Sequence, residues 1–150
     1  MTTIACDGKS MAGDRKVTEQ NMFYGTCKIF VIEDSIVGVA GCATSTNKWL
    51  AWYRAGCASD GPSFTDDDSM SALVLNRRGL FLYEECSDPD KVDGEIYAVG
   101  TGGQGALALM RENGWTATKA VKRMHKYDPN TGPKVTTIKL RDVPPMVPRG

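Results

Sequence analysis

The second residue of the chain, Thr2, carries a hydroxyl and gains a free α-amine once Met1 is removed. Aminopeptidases remove the initiator methionine when the next residue is small, and threonine is small enough. An α-amine has a pKa of about 8, so a large fraction is neutral at physiological pH. It can then act as general base for the hydroxyl of the same residue, directly or through a water molecule. Thr2 is therefore a candidate nucleophile.

The residues that follow predict a hairpin that places an acidic residue beside this terminus. The dipeptide Asp7-Gly8 is typical of a two-residue β-turn, because both residue types tolerate positive φ. With this turn, residues 2–6 pair with residues 9–13, and Thr2 lies opposite Gly13. Asp14 is then expected next to Thr2.

The remaining chain predicts sheets built from hairpins, together with a few helices. Hairpins are expected over residues 28–41 and 71–84. Helices are expected over residues 43–55, 104–112 and 116–126, and single strands over residues 96–99 and 135–140. Repeated hairpins favour antiparallel sheets. Residues 15–25 are expected to be turn-rich. The prediction is one domain over 1–142 with a disordered tail over 143–150.

A glycine-rich segment, Gly100 to Gly105, matches the dinucleotide-binding pattern G-x-G-x-x-G after a strand and before a helix. Nucleotide binding is disfavoured because too little chain follows for the alternating strands and helices of such a fold. In a dinucleotide-binding fold, an acidic residue at the end of a strand follows the glycines by about 20 residues. Here the segment at that distance, Met124 to Tyr127, is typical of a helix end instead. We expect these glycines to bring backbone close to the candidate catalytic residue instead.

The composition is that of an ordinary globular protein, and a zinc site would have to be built from scattered ligands. The 150 residues carry a formal net charge of zero and no apolar run of the ~20 residues that a membrane helix needs. We therefore expect no nucleic-acid and no membrane partner. The five cysteines form no Cys-x-x-Cys pair and only one histidine, His125, is present, which favours free thiols in a reducing cytoplasm. The run Asp66-Asp67-Asp68 lacks the glycine that shapes a calcium-binding loop, so its carboxylates are expected to be solvated and not to bind a metal ion.

Five segments, taken in order, resemble the proteasome β-subunit and HslV group of N-terminal-nucleophile hydrolases. They are Thr2-Thr3-Ile4 with Ala12-Gly13-Asp14, Lys28-Ile29, Gly38-Val39-Ala40-Gly41, Tyr97 to Gly103, and Asp128 to Gly132. The chain looks like a short, divergent member. The resemblance implies an α+β fold, a four-layer αββα sandwich of two antiparallel sheets. One helix is predicted after Gly41 where the family has two long ones, so the first helical layer is expected to be reduced.

The resemblance also implies roles for the site residues. Thr2 would be the nucleophile and, through its amine, the base. Lys28 would lie beside the Thr2 hydroxyl and favour its deprotonation, and Asp14 would hold Lys28 by a charge-assisted hydrogen bond. The backbone N–H of Gly41 would stabilise the oxyanion.

Three further residues, Thr101, Asp128 and Thr131, would surround the Thr2 amine and steer its proton. The family usually has serine at the positions of Thr101 and Thr131, and threonine keeps the hydroxyl while adding a methyl group. No cofactor and no metal ion is implied.

The implied activity is that of a cytoplasmic threonine-type peptidase acting on peptides or unfolded proteins within a homo-oligomeric ring, with a possible ATPase unfoldase as partner. Two alternatives remain open. The chain could be an amidase of the same class acting on a small amide, or a catalytically silent structural or adaptor homologue that retains Met1. The aromatic residues Trp49, Trp52 and Tyr53 could belong to the core or to a subunit interface.

Overall fold

Two antiparallel sheets face each other in the computed structural model, which describes residues 2–19, 22–57, 61–62, 69–84 and 88–145. The first sheet has the strand order β10 (Tyr97–Gly100), β1 (Thr3–Cys6), β2 (Ser10–Asp14), β11 (Val135–Lys139). The second has the order β5 (Ile29–Ile32), β6 (Ser35–Gly41), β7 (Met70–Asn76), β8 (Gly79–Glu84), β9 (Asp90–Lys91). A separate hairpin consists of β3 (Lys16–Glu19) and β4 (Met22–Gly25).

Helices cover the outer face of each sheet. Helix α1 (Ala43–Arg54) packs on the five-stranded sheet, whereas α2 (Gly103–Asn113) and α3 (Ala117–Met124) pack on the four-stranded one. The layer order is therefore α, β, β, α, which confirms the predicted sandwich. Within the described ranges α1 is the one helix of its layer, as expected for a reduced first layer.

Capping residues mark the start of α3 and the end of α2. The hydroxyl of Thr116 accepts the N–H of Lys119 at 3.2 Å and so caps α3. Helix α2 ends at Gly114, which adopts the left-handed conformation with φ 64°.

The two sheets approach each other closely over strand β6. Ile4, Met11 and Ile29 are fully or almost fully buried between the sheets. Gly38 of β6 faces them, and a Cβ atom there would lie 2.6 Å from Ile4 Cγ2 and 2.7 Å from Met11 Sδ. The missing side chain therefore lets β1 pack directly on the second sheet, which fixes the position of the N-terminal residues.

The first hairpin differs in register from its prediction. Cys6 pairs with Met11, whereas the sequence predicted pairing with Lys9. The reason is the side chain of Asp7, whose Oδ1 accepts the backbone N–H groups of Lys9 at 2.9 Å and Ser10 at 2.8 Å. This places Asp7 before the turn instead of within it. The shift of two residues preserves which side chains face inward.

The prediction of a turn-rich segment over residues 15–25 is wrong, because most of its described residues form the paired strands β3 and β4. Their register runs from Lys16 opposite Gly25 to Glu19 opposite Met22. The sequence does contain strand formers here, such as Val17 and Tyr24.

The aromatic residues of α1 contribute to the core on the outer face of the second sheet. Trp49 is fully buried, and its ring centroid lies 5.1 Å from those of both Tyr53 and Tyr83. Trp52 and Tyr53 are half-buried at the rim of the same cluster. Core packing is thus the role of Trp49.

The first residue of the predicted C-terminal tail is buried. Val143, at the start of the predicted tail, is 2% exposed in the inter-sheet core, and its carbonyl accepts Arg77 Nη2 at 2.7 Å. Residues 146–150 and Asp66-Asp67-Asp68 lie outside the described residues. In the part of the chain that is described, Cys6, Cys27 and Cys57 are free thiols. No helix in that part is long and apolar enough to span a membrane.

Candidate active site

The side chain of Thr2 lies between an ammonium and a carboxylate. Lys28 Nζ donates to Thr2 Oγ1 at 2.5 Å, and the Thr2 hydroxyl donates in turn to Asp14 Oδ1. Lys28 Nζ also lies 3.1 Å from Asp14 Oδ1. Thr2 immediately precedes β1, Asp14 ends β2, and Lys28 immediately precedes β5 of the opposite sheet. The structure therefore brings these three predicted residues into direct contact.

Backbone N–H groups hold the carboxylate of Asp14 in place. Its Oδ1 accepts the N–H of Thr3 at 3.0 Å, and its Oδ2 accepts those of Lys16 at 3.1 Å and Gly132 at 3.0 Å. The residue is 1% exposed. Because both oxygens are hydrogen-bonded, the carboxylate is fixed as a partner for Lys28.

Lys28 is buried, with 8% of its surface exposed, and its Nζ also donates to the carbonyl of Lys16. Burial lowers the pKa of the Lys28 ammonium below its ordinary value, although the charges of Asp14 and Asp128 act in the opposite direction. Lys28 therefore releases a proton more readily than an exposed lysine does, while it stays within hydrogen-bonding distance of the Thr2 hydroxyl.

A second hydrogen-bond network surrounds Asp128. Its Oδ2 accepts the hydroxyls of Thr101 at 2.5 Å and Thr131 at 2.7 Å, and its Oδ1 accepts the N–H of Asn130 at 3.0 Å. Thr131 Oγ1 also lies 2.7 Å from Thr3 Oγ1. Since the single hydroxyl proton of Thr131 points to Asp128, Thr3 is the donor in that pair. Thr3 is a member of the site that the sequence did not indicate.

Asp128 stays ionised in this network. Burial alone would raise the pKa of its carboxyl group, but the hydrogen bonds from Thr101, Thr131 and Asn130 outweigh burial and hold that pKa below its usual range.

One turn connects the two networks. It runs from Asp128 to Gly132, and it is closed by the N–H of Thr131 donating to the carbonyl of Asp128 at 3.1 Å. The hydroxyl of Thr131 belongs to the Asp128 network, whereas the N–H of Gly132 binds Asp14. The side chains around Thr2 are therefore held by the C-terminal part of the chain.

The glycine-rich segment makes room for the N-terminal residues. Gly100 has φ 95°, and a Cβ atom there would overlap the carbonyl oxygen of Thr2. A Cβ atom at Gly102 would overlap the hydroxyl of Thr3. The close backbone approach is therefore to Thr2 and Thr3, which accounts for the dinucleotide-like pattern without a nucleotide.

Gly41 ends β6 at the wall of a cavity that Thr2 and Lys28 also line. Its φ of 137° disfavours other residues, and a Cβ atom would lie 2.5 Å from the carbonyl oxygen of Ser69 and 2.7 Å from Met70 Cα. The cavity has a volume of about 520 Å³. Apolar side chains form much of its wall, among them Val17, Phe30, Val39 and Leu50.

The layer order, with Thr2 at the start of a central strand, is that of an HslV-like fold of the N-terminal-nucleophile hydrolase type. Comparison with solved structures supports this assignment. BPH from Thiobacillus denitrificans is 20% identical with a TM-score of 0.67, covering 93% of this chain and 97% of that one. HslV from Trypanosoma brucei is 19% identical with a TM-score of 0.65, covering 91% and 99%.

More distant structures share the same architecture. Anbu, an ancestral β-subunit, from Yersinia bercovieri is 9% identical with a TM-score of 0.68, covering 92% of this chain and 80% of that one. The Thiobacillus denitrificans protein has also been solved in complex with epoxomicin. Neither a protein-family model nor a curated protein sequence matches the chain. Identities this low establish the fold alone.

Proposed function

We propose that the protein is a threonine-type peptidase whose nucleophile is Thr2 after removal of Met1. The observation that carries the proposal is the 2.5 Å contact between Lys28 Nζ and Thr2 Oγ1, with Asp14 bonded to both. A lysine without this role gains little from burial beside a threonine hydroxyl, because desolvation of its charge is costly.

The first half of the reaction acylates the enzyme. Thr2 Oγ forms a bond to the scissile carbonyl carbon while the hydroxyl proton passes to the neutral α-amine of Thr2. The carbonyl π electrons move to oxygen, and the N–H of Gly41 donates to that oxyanion, a type of contact worth about 3 kcal/mol in the transition state. The Lys28 ammonium stabilises the negative charge as it develops on Oγ.

The second half releases both products. The C–N bond breaks as the protonated α-amine gives its proton to the leaving nitrogen, which leaves an ester on Thr2. Water, activated by the same amine, then attacks the ester carbon and regenerates the hydroxyl. Asp128, with Thr101 and Thr131, would orient the amine for both proton transfers.

Substrate and assembly form part of the same proposal. The largely apolar wall of the cavity suits peptide side chains or segments of unfolded protein. As in the group that the sequence resembles, the chain would assemble into a homo-oligomeric ring in the cytoplasm and receive substrate from an ATPase unfoldase. Light scattering should then give the mass of several subunits in solution.

The activity test compares the protein with two variants at the nucleophile. Thr2→Ala and Thr2→Ser both keep a small second residue, so Met1 removal is unaffected and N-terminal sequencing can verify it. We expect unfolded casein and fluorogenic peptides to be cleaved by the wild type, more slowly by Thr2→Ser, and not by Thr2→Ala. Cleavage of small amides alone would favour the amidase, and retained Met1 without any cleavage would favour the silent homologue.

A further inference from the structure

A second cavity of about 530 Å³ lies on the other side of Gly41. Gly41 and Ser69 line both cavities, so the two are contiguous at the residue proposed to bind the oxyanion. A peptide whose scissile carbonyl sits at Gly41 extends in two directions, and each direction has a cavity of comparable size.

The surroundings of Thr2 determine which cavity receives the leaving group. The side chain of Thr2 lines the first cavity together with Lys28. Gly100, which lies against the carbonyl group of Thr2, lines the second. Thr101, whose hydroxyl donates to Asp128, lines the second cavity too. Thr101 and Asp128, which are proposed to orient the α-amine of Thr2, therefore form a network that reaches the wall of the second cavity.

This arrangement has a consequence for the direction of the substrate. In the proposed reaction the α-amine gives its proton to the leaving nitrogen, so that nitrogen has to lie on the amine's side of the scissile carbon. The acyl part then occupies the first cavity, and the residues after the scissile bond occupy the second.

The second cavity has an acidic side chain at its wall. Glu84, at the end of β8 opposite Ser71, is exposed and is the charged residue among the described residues that line this cavity. The charged side chains among the described lining residues of the first cavity are Lys16 and Lys28. The two cavities therefore differ in the sign of the charge that they present.

We propose that the second cavity is the binding site for the leaving-group side of a peptide, and that Glu84 selects substrates with a lysine or arginine there. The inference rests on the proposed function, since it assigns a subsite to that reaction. Glu84 is a specificity-determining residue in this scheme, because it contacts the substrate away from the reacting atoms.

The test uses pairs of internally quenched peptides that are identical up to the scissile bond and carry either lysine or glutamate at the first two positions after it. An exposed ion pair changes an equilibrium by up to roughly fivefold. We expect the wild type to prefer the lysine peptide in kcat/KM by about that factor, and added salt to reduce the preference. Glu84→Gln should abolish the preference, and Glu84→Lys should invert it.

Two controls separate the subsite from the reaction itself. Glu112→Lys changes another exposed glutamate, on α2 in the outer helical layer, and should leave the preference unchanged. Substrates whose leaving group is a neutral aminocoumarin do not reach Glu84, so the wild type and Glu84→Lys should cleave them equally well.

The possible outcomes distinguish this inference from the proposed function. Cleavage of the coumarin substrate with the same lysine-to-glutamate ratio in the wild type and both Glu84 variants would overturn the subsite alone. The same holds if Glu84→Lys alters selectivity before the scissile bond instead of after it. Failure of the processed wild type to cleave any substrate would overturn the proposed function and the subsite together.

Discussion

Lys28 Nζ lies 2.5 Å from Thr2 Oγ1, although 26 residues separate them in sequence. The two side chains belong to opposite sheets, since Thr2 immediately precedes β1 and Lys28 immediately precedes β5. The contact forms because the sheets pack closely where Gly38 has no side chain. The geometry of the candidate nucleophile thus depends on the inter-sheet core.

Replacing Lys28 by methionine tests the role of the ammonium. Lys28→Met removes the charge while keeping an unbranched side chain, so we expect covalent labelling of Thr2 by an epoxyketone to slow by about a hundredfold or more. Lys16→Met is the matched control, because Lys16 lines the same cavity but its Nζ donates to the carbonyl of Pro129 at 2.6 Å. Equal labelling rates for the two variants would exclude the proposed role of Lys28.

Gly41→Ala is expected to destabilise the protein by about 2 to 5 kcal/mol, since it adds backbone strain to steric overlap. The overlap arises because the new Cβ would lie 2.5 Å from the carbonyl oxygen of Ser69. Gly56→Ala is the control for strain alone, since Gly56 also has positive φ but no atom within 4 Å of the Cβ position. Urea unfolding of Gly56→Ala should show a loss of only about 1 kcal/mol in the free energy of unfolding. Similar values for both would show that the close approach at Gly41 is unimportant.

Replacing Thr131 by valine interrupts the network that joins Thr3 to Asp128. The hydroxyl of Thr3 loses its acceptor and Asp128 loses a donor, both in buried positions, so we expect a loss of about 1 to 3 kcal/mol in unfolding free energy. Thr131→Ser keeps the hydroxyl and should retain most of the stability and of the Thr2 reactivity. A serine variant as impaired as the valine variant would point to packing of the methyl group as the dominant contribution.

The lowered pKa of Asp128 predicts a pH-dependent contribution to stability. As pH falls, the unfolded chain takes up the proton before the folded protein does. The contribution is therefore complete above the ordinary carboxyl pKa of about 4 and is lost as the pH falls through the lower pKa of the folded state. Urea unfolding at several pH values should show Asp128→Asn destabilised at neutral pH, with the difference from wild type shrinking below about pH 4.

An exposed aspartate provides the control for the substitution itself. Asp90→Asn, on the short strand β9, should change the unfolding free energy at neutral pH by less than about 0.5 kcal/mol. A difference between Asp128→Asn and wild type that stays constant down to about pH 3 would contradict the assigned direction of the shift.

Local sequence signals predicted the strands and helices that position Thr2, but they did not predict the pairing register of the β1–β2 hairpin. The Asp7-Gly8 turn was expected one residue too early, because the side chain of Asp7 binds backbone N–H groups beyond it. The error of two residues in pairing kept the faces of the strands, so Asp14 still points to Thr2.

Long-range contacts account for what the sequence did not indicate. Thr3 bonds to Thr131 across 128 residues, and no local pattern specifies such a pair. The β3–β4 hairpin was missed because its described strands join neither large sheet, and the sequence of such a hairpin need not alternate between apolar and polar residues. Gly102 looked like part of a nucleotide-binding pattern because close approach to Thr3 demands the same residue type.

The most direct test of the account is the intact mass of the purified protein before and after incubation with epoxomicin, followed by peptide mapping. If Thr2 is the nucleophile, the chain lacks Met1 and gains one equivalent of the epoxyketone at Thr2, with no gain in Thr2→Ala. A protein that has lost Met1 yet gains no mass, or gains it equally in Thr2→Ala, would contradict Thr2 as the nucleophile.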